Sequence, residues 1–126
     1  MSKITAAITA VGSYVPDFVL TNRILETMVD TNDEWITART GIKKRRILKD
    51  KGKGTSFLAI NAAKDLMAKK KINPESIDLV IVSTITPDFH GASTAPTVAS
   101  AIKAKNAYAF DLSAACSGFL FGMSTA

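Results

Sequence analysis

The sequence holds one cysteine, one histidine and one tryptophan in 126 residues, and its 11 acidic residues are outnumbered by 16 basic ones. Each scarcity excludes something. A single cysteine forms no internal disulfide, so a disulfide-stapled secreted scaffold is ruled out. One cysteine and one histidine lack the ligand spacing of a zinc site, and no metal is expected. No apolar run reaches the roughly 18 residues that a membrane-spanning helix needs. Met1-Ser-Lys-Ile4 does not lead into the apolar stretch of a signal peptide. A cytoplasmic protein without a membrane partner is the expectation.

What is present reads as globular. Hydrophobic residues make up 47% and charged residues 21%, enough to form a core within one domain, 1–126. The net charge is +5. Lys43, Lys44, Arg45, Arg46, Lys49, Lys51 and Lys53 concentrate the basic character in one run. The plain reading of such a run is a solvated loop, and the other is attraction for an anion. No nucleic-acid-binding motif accompanies it and aromatics do not interleave with it, so nucleic acid is not an expected partner.

Strands and helices are expected to alternate. Ile4 to Tyr14 reads as a strand with a bulge at Gly12. Thr21 or Asn22 caps a helix reaching about Val29. Thr31-Asn-Asp-Glu34 has the pattern of a capping box for a second helix, ended by Gly41. Ile42 to Leu48 suits an exposed strand, and Asp50 to Gly54 a loop. Thr55 or Ser56 starts a longer helix that ends in Lys69-Lys70-Lys71, charges suited to its negative end. Leu79-Val-Ile-Val82 is apolar throughout, as in a strand buried on both faces. Ser93 or Thr94 opens a further helix with Pro96 in its first turn, running to about Lys105. Ala107 to Leu112 is the last strand. The alternation predicts an α/β fold with a substantially parallel sheet. The chain stops at Ser124-Thr-Ala126 without a capping glycine or proline, so truncation within a helix is expected.

The only cysteine lies in Asp111-Leu-Ser-Ala-Ala-Cys116-Ser-Gly-Phe119. Taken alone, a single cysteine reads as a small buried hydrophobe. Here it falls between a predicted strand and a predicted helix. Helix N-termini carry partial positive charge and free N–H groups, a setting that suits a thiolate nucleophile. Gly118 and Gly122, four apart, leave one helix face open to another backbone or a substrate. Trp35 and Arg39 are also four apart and share a face. Indole and guanidinium together suit stacking on a flat base and pairing with phosphate. The alternative is a core tryptophan beside a surface ion-pair arginine.

The cysteine segment resembles the nucleophile segment of the β-ketoacyl-acyl-carrier-protein synthase III family, within the thiolase superfamily. Phe110, Asp111, Ala114, Ala115, Cys116, Ser117, Gly118 and Phe119 carry the match. Gly12-Ser-Tyr-Val-Pro16, Asp30 to Ile36 with Arg39-Thr-Gly-Ile42, and Ile77 to Thr84 with Thr86-Pro-Asp88 extend it in order along the chain. The resemblance implies a thiolase-like fold, the chain being the N-terminal half, incomplete, of a duplicated α-β-α-β-α layered fold. It implies the initiating condensation of fatty-acid synthesis. An acyl group, most simply acetyl, passes from acyl-coenzyme A to Cys116 and then condenses with malonyl-acyl-carrier protein.

Further roles follow from the same resemblance. Trp35, Arg39 and Thr31 meet the nucleotide end of coenzyme A. Coenzyme A thioester is a substrate, and no separate cofactor is expected. If the basic run attracts an anion rather than forming a solvated loop, coenzyme A phosphates or an acidic carrier protein are the candidates. A histidine and an asparagine completing the site belong to a second half, and the whole protein is a homodimer. His90 matches no catalytic position and reads as a loop residue. Gly91 and Ala92 stand where an aromatic and a proline are usual, which implies an acyl pocket not restricted to acetyl. Alternatives are a synthase III relative of secondary metabolism, a hydroxymethylglutaryl-coenzyme A synthase or plant-type polyketide synthase, and an inactive fragment that acts only by association.

Overall fold

The computed structural model describes residues 6–126 and divides them into two compact units. One is Val15–Lys53, and the other joins residues 6–14 to Gly54–Ala126.

In the Val15–Lys53 unit, strand β1 (Val19–Thr21) pairs antiparallel with β2 (Lys44–Arg46). Helix α1 (Asn22–Glu26) follows β1, with Thr21 accepting from Ile24 N–H as its cap. It is shorter than expected because the chain turns at Thr27, whose N–H and hydroxyl both donate to Ile24 O. Helix α2 (Asp33–Thr40) is capped by Asn32, not Thr31, through a 2.7 Å bond from Trp35 N–H. Gly41 ends it at φ 70°, a conformation glycine adopts without strain. Asn22 is nearly fully buried. Its amide donates to Asp33 Oδ1 (2.6 Å) and Ile42 O (2.8 Å) and accepts from Arg45. One side chain thus satisfies groups from α2, the segment after it and β2, as a buried amide must.

Most of the basic run is engaged within its own unit or turn. Lys43 pairs with Asp33, Arg46 donates to Pro16 O and Asp17 O, Lys49 lies over the Phe18 ring, and Lys53 pairs with Asp50.

The second unit is built on a βαβ element. Strands β3 (Leu79–Ser83) and β4 (Tyr108–Leu112) are parallel, with Leu79 opposite Tyr108 and Ser83 opposite Leu112. Helices α3 (Thr55–Lys70) and α4 (Thr94–Ala101) cover one face. Val80 and Val82 pack there with Ala59, Ile60, Ala63, Ala95, Val98 and Ala109. Helix α5 (Gly118–Thr125) lies on the other face, against β3. Three layers result.

Strand β4 is not buried on both faces. Tyr108 is 81% exposed and Phe110 37%. Among the described residues the sheet has two strands, and α5 packs mainly against β3.

The strand expected from Ile4 to Tyr14 is also not found: Ile4 and Thr5 lie outside the described residues, and residues 6–14 form no strand. A strand needs a ladder partner, and among the described residues none pairs with this segment. Gly12 makes no bulge. A Cβ there would lie 2.5 Å from Leu66 Cβ and from Leu66 N on α3. Its missing side chain lets the segment lie on that helix, where Ser13 N–H donates to Asp65 at 2.8 Å.

Two helices of this unit are capped from a distance. Gly54 precedes α3 and offers no side chain, and the Asp88 carboxylate accepts from Ser56 N–H at 3.1 Å. Ser93 precedes α4 without a side-chain bond. There Asp111, in β4, accepts from Thr94 N–H (2.6 Å) and Ala95 N–H (2.7 Å). Each carboxylate meets the positive end of a helix dipole.

Candidate active site

Strand β4 ends at Leu112, and a single 3-10 turn, Ala115–Ser117, joins it to α5. Cys116 occupies the middle of that turn, two residues before the helix proper. Ala115 has φ 43°, a left-handed conformation disfavoured for a residue with a Cβ. The turn closes through Ser117 N–H to Ala114 O at 3.0 Å and Gly118 N–H to Ala115 O. Cys116 is a free, exposed thiol, not the small buried hydrophobe of the alternative reading. Gly118 and Gly122 face β3, and what comes close to them is the Ser83 side chain.

Gly91 and Ala92 lie in the preceding connection. Phe89 and Ala92 form an antiparallel bridge, with exposed His90 and Gly91 (φ 88°) at its tip. A recess of about 310 Å³ is lined by Pro87, Phe89, Gly91, Ala92, Ser93 and Asp111. Cys116 is not part of that lining.

In the other unit, Arg39 Cζ lies 4.7 Å from the centre of the Trp35 ring. Trp35 is 54% exposed, so it is no core anchor. A recess of about 220 Å³ is lined by Asp30, Thr31, Asn32 and Trp35. Thr31, Trp35 and Arg39 therefore share one region, beside a cation laid on an aromatic face. Asp33, at the start of the same helix, has its carboxyl held below the ordinary 3.8, first by the Asn22 hydrogen bond and then by Lys43. Among the described residues no cluster of three His, Cys, Asp or Glu side chains could hold a metal ion.

Over all 126 residues the chain is 59% identical to a β-ketoacyl-[acyl-carrier-protein] synthase III of Phocaeicola vulgatus. The chain belongs to the β-ketoacyl-[acyl-carrier-protein] synthase III family. It spans 38% of that relative's length. The synthase III of Porphyromonas gingivalis W83 is 54% identical over 123 residues, 98% of this chain and 37% of the relative. No protein-family model matches the chain.

Solved structures agree on the thiolase-like fold. A synthase III from Aquifex aeolicus VF5 superposes with a TM-score of 0.86 at 48% identity, over 92% of this chain and 37% of that one. The priming β-ketosynthase of the R1128 polyketide pathway gives 0.87 at 38% identity, over 93% and 35%.

Sequence reasoning missed Ser83, Asp88, Asp111 and Asn22 as organising residues of this synthase III segment. One signal was available for two of them. Neither Thr55–Lys70 nor Thr94–Ala101 has an acidic residue in its first turn. Such helices need a cap from elsewhere.

Proposed function

We propose that the whole protein performs the initiating condensation of fatty-acid synthesis. The supporting observation is the exposed Cys116 in a strained turn between β4 and α5, within a chain 59% identical to a synthase III. The Cys116 thiolate attacks the carbonyl of an acyl-coenzyme A, and coenzyme A leaves as its thiolate. The backbone N–H of Cys116 is one donor to the oxyanion of that step. Malonyl-acyl-carrier protein then loses carbon dioxide. The resulting enolate carbon attacks the acyl-cysteine, releases the thiolate and leaves 3-oxoacyl-acyl-carrier protein.

A histidine and an asparagine from outside these 126 residues stabilise the enolate. The open face of Trp35 takes the adenine of coenzyme A, Arg39 pairs with phosphate, and Thr31 lines the same recess. The thioester is a substrate, and the scheme uses no separate cofactor. The exposed Gly91 and Ala92 make the primer pocket roomier than an acetyl-only site. The protein works in the cytoplasm as a homodimer, and the 126-residue segment alone does not turn over.

Labelled acetyl-coenzyme A incubated with the whole protein, followed by peptide mapping, tests the chemistry. Label on Cys116, lost in Cys116→Ser, is expected. Label elsewhere sinks the assignment. Trp35→Ala with Arg39→Ala should weaken coenzyme A binding by calorimetry while the fold survives. Unchanged affinity removes that site. The likeness to a priming β-ketosynthase supports a second reading, priming in secondary metabolism. Comparing kcat/KM for acetyl-, butyryl- and branched acyl-coenzyme A separates the two. One methylene is worth about 1–3 kcal/mol in such a pocket, and a strong acetyl preference contradicts the roomier pocket.

A further inference from the structure

Ser83 is the last residue of β3 and stands on the α5 face of the sheet. Its hydroxyl donates to Gly118 O at 2.9 Å. The same side chain occupies the space that larger residues on α5 would need. A Cβ on Gly118 would lie 2.9 Å from Ser83 Cβ, and one on Gly122 3.2 Å from Ser83 Oγ. Gly118 and Gly122 are the buried residues of α5. Gly118 has two duties. It is the first residue of α5, and its N–H closes the turn that holds Cys116.

We propose that Ser83 is a positioning residue for Cys116. Seated against the two glycines, its hydroxyl pins the first turn of α5 to the end of β3. The thiol and backbone N–H of Cys116 are thereby held in one place relative to the sheet. The need is physical. The turn is one residue deep on either side of the cysteine, and Ala115 is strained. A strained turn keeps its shape only where its surroundings fix it. The Ser83 bond supplies that constraint from outside the turn. The proposal rests on reading Cys116 as the acylated nucleophile.

The test is single-turnover acylation of the whole protein by labelled acetyl-coenzyme A, with the label mapped in every variant. Ser83→Ala should leave the unfolding midpoint and the affinity for acetyl-coenzyme A close to the parent's. The maximal acylation rate should fall about 5- to 20-fold, as expected when a reacting group loses its alignment. Gly122→Ala should slow acylation as well, because the added methyl meets the Ser83 hydroxyl. In Ser83→Ala the hydroxyl is gone, so adding Gly122→Ala should cost little more, a non-additive pair. A merely structural role would lower stability without splitting rate from affinity. Cys116 labelled in Ser83→Ala within twofold of the parent rate overturns the proposal, as do penalties that simply multiply. Label on a residue other than Cys116 overturns the nucleophile reading, and this one with it.

Discussion

Helix α2 and helix α4 are both eight residues long, and they begin in opposite ways. Helix α2 is closed by its neighbours: Asn32 caps it, Asp33 and Glu34 fill the first turn, and Gly41 turns the chain away. Helix α4 has no acidic residue in its first turn and no bond from its capping serine. Its first N–H groups are satisfied by Asp111, 17 and 16 residues further on. Helix α3 resembles α4, with Asp88 standing 32 residues from Ser56. A locally capped helix has its end groups satisfied by residues within a few positions of it. A remotely capped one is complete only once the strand or loop bearing its carboxylate is in place. The β3–β4 unit is therefore expected to be the more cooperative of the two.

Breaking the remote caps should have the largest effects. Asp111→Ala leaves two N–H groups of buried Thr94 and Ala95 without an acceptor. We expect a loss on the order of 3 kcal/mol, read from the denaturant midpoint. A loss under about 1 kcal/mol would show that water replaces the carboxylate. Asp88→Ala removes one such bond from a half-buried site, and about 1.5 kcal/mol is expected in the same assay. Asn32→Ala tests the local side. The loss should be about 1 kcal/mol, with faster hydrogen exchange confined to α2. Exchange that instead rises across the β3–β4 unit would erase the contrast.

The smallest expected effect is on pH dependence. Asp33 is held below its ordinary 3.8 chiefly by Asn22, and Asp65 chiefly by Lys69, with the Ser13 N–H next. A carboxyl depressed in the folded state contributes stability above its unfolded pKa. That contribution is lost as pH falls through the folded value. The melting temperature should therefore drop as pH falls below about 4. Asp33→Asn should flatten the drop, and an unchanged slope would show that Asp33 is not part of it.

The same contrast explains what the sequence revealed. Thr21 as a cap, Gly41 as a terminator, the β3 and β4 strands and the place of Cys116 all rest on residues a few positions apart. Patterns of that range are legible. Gly12 shows the limit, since a glycine that makes a bulge and one that lies against a helix look alike. Its partner, Leu66, is far along the chain. Ser83, Asp88 and Asp111 act across 16 to 35 residues; the acid-free first turns of α3 and α4 show that a cap is needed, and nothing beside these three residues marks them as partners. For Trp35 and Arg39, the shared face was legible from their spacing. The guanidinium lying on the ring was not, because side-chain placement on an exposed helix is not fixed by sequence spacing.

That stacked pair makes the chain its own optical probe. Trp35 is the only tryptophan, so all indole emission comes from one half-exposed ring beneath one cation. Anything that stacks on the open face or draws Arg39 away changes a signal with no background from elsewhere in these 126 residues. Occupancy of the Thr31–Trp35 recess can be followed by light alone, without a label and before any bond is made or broken at Cys116.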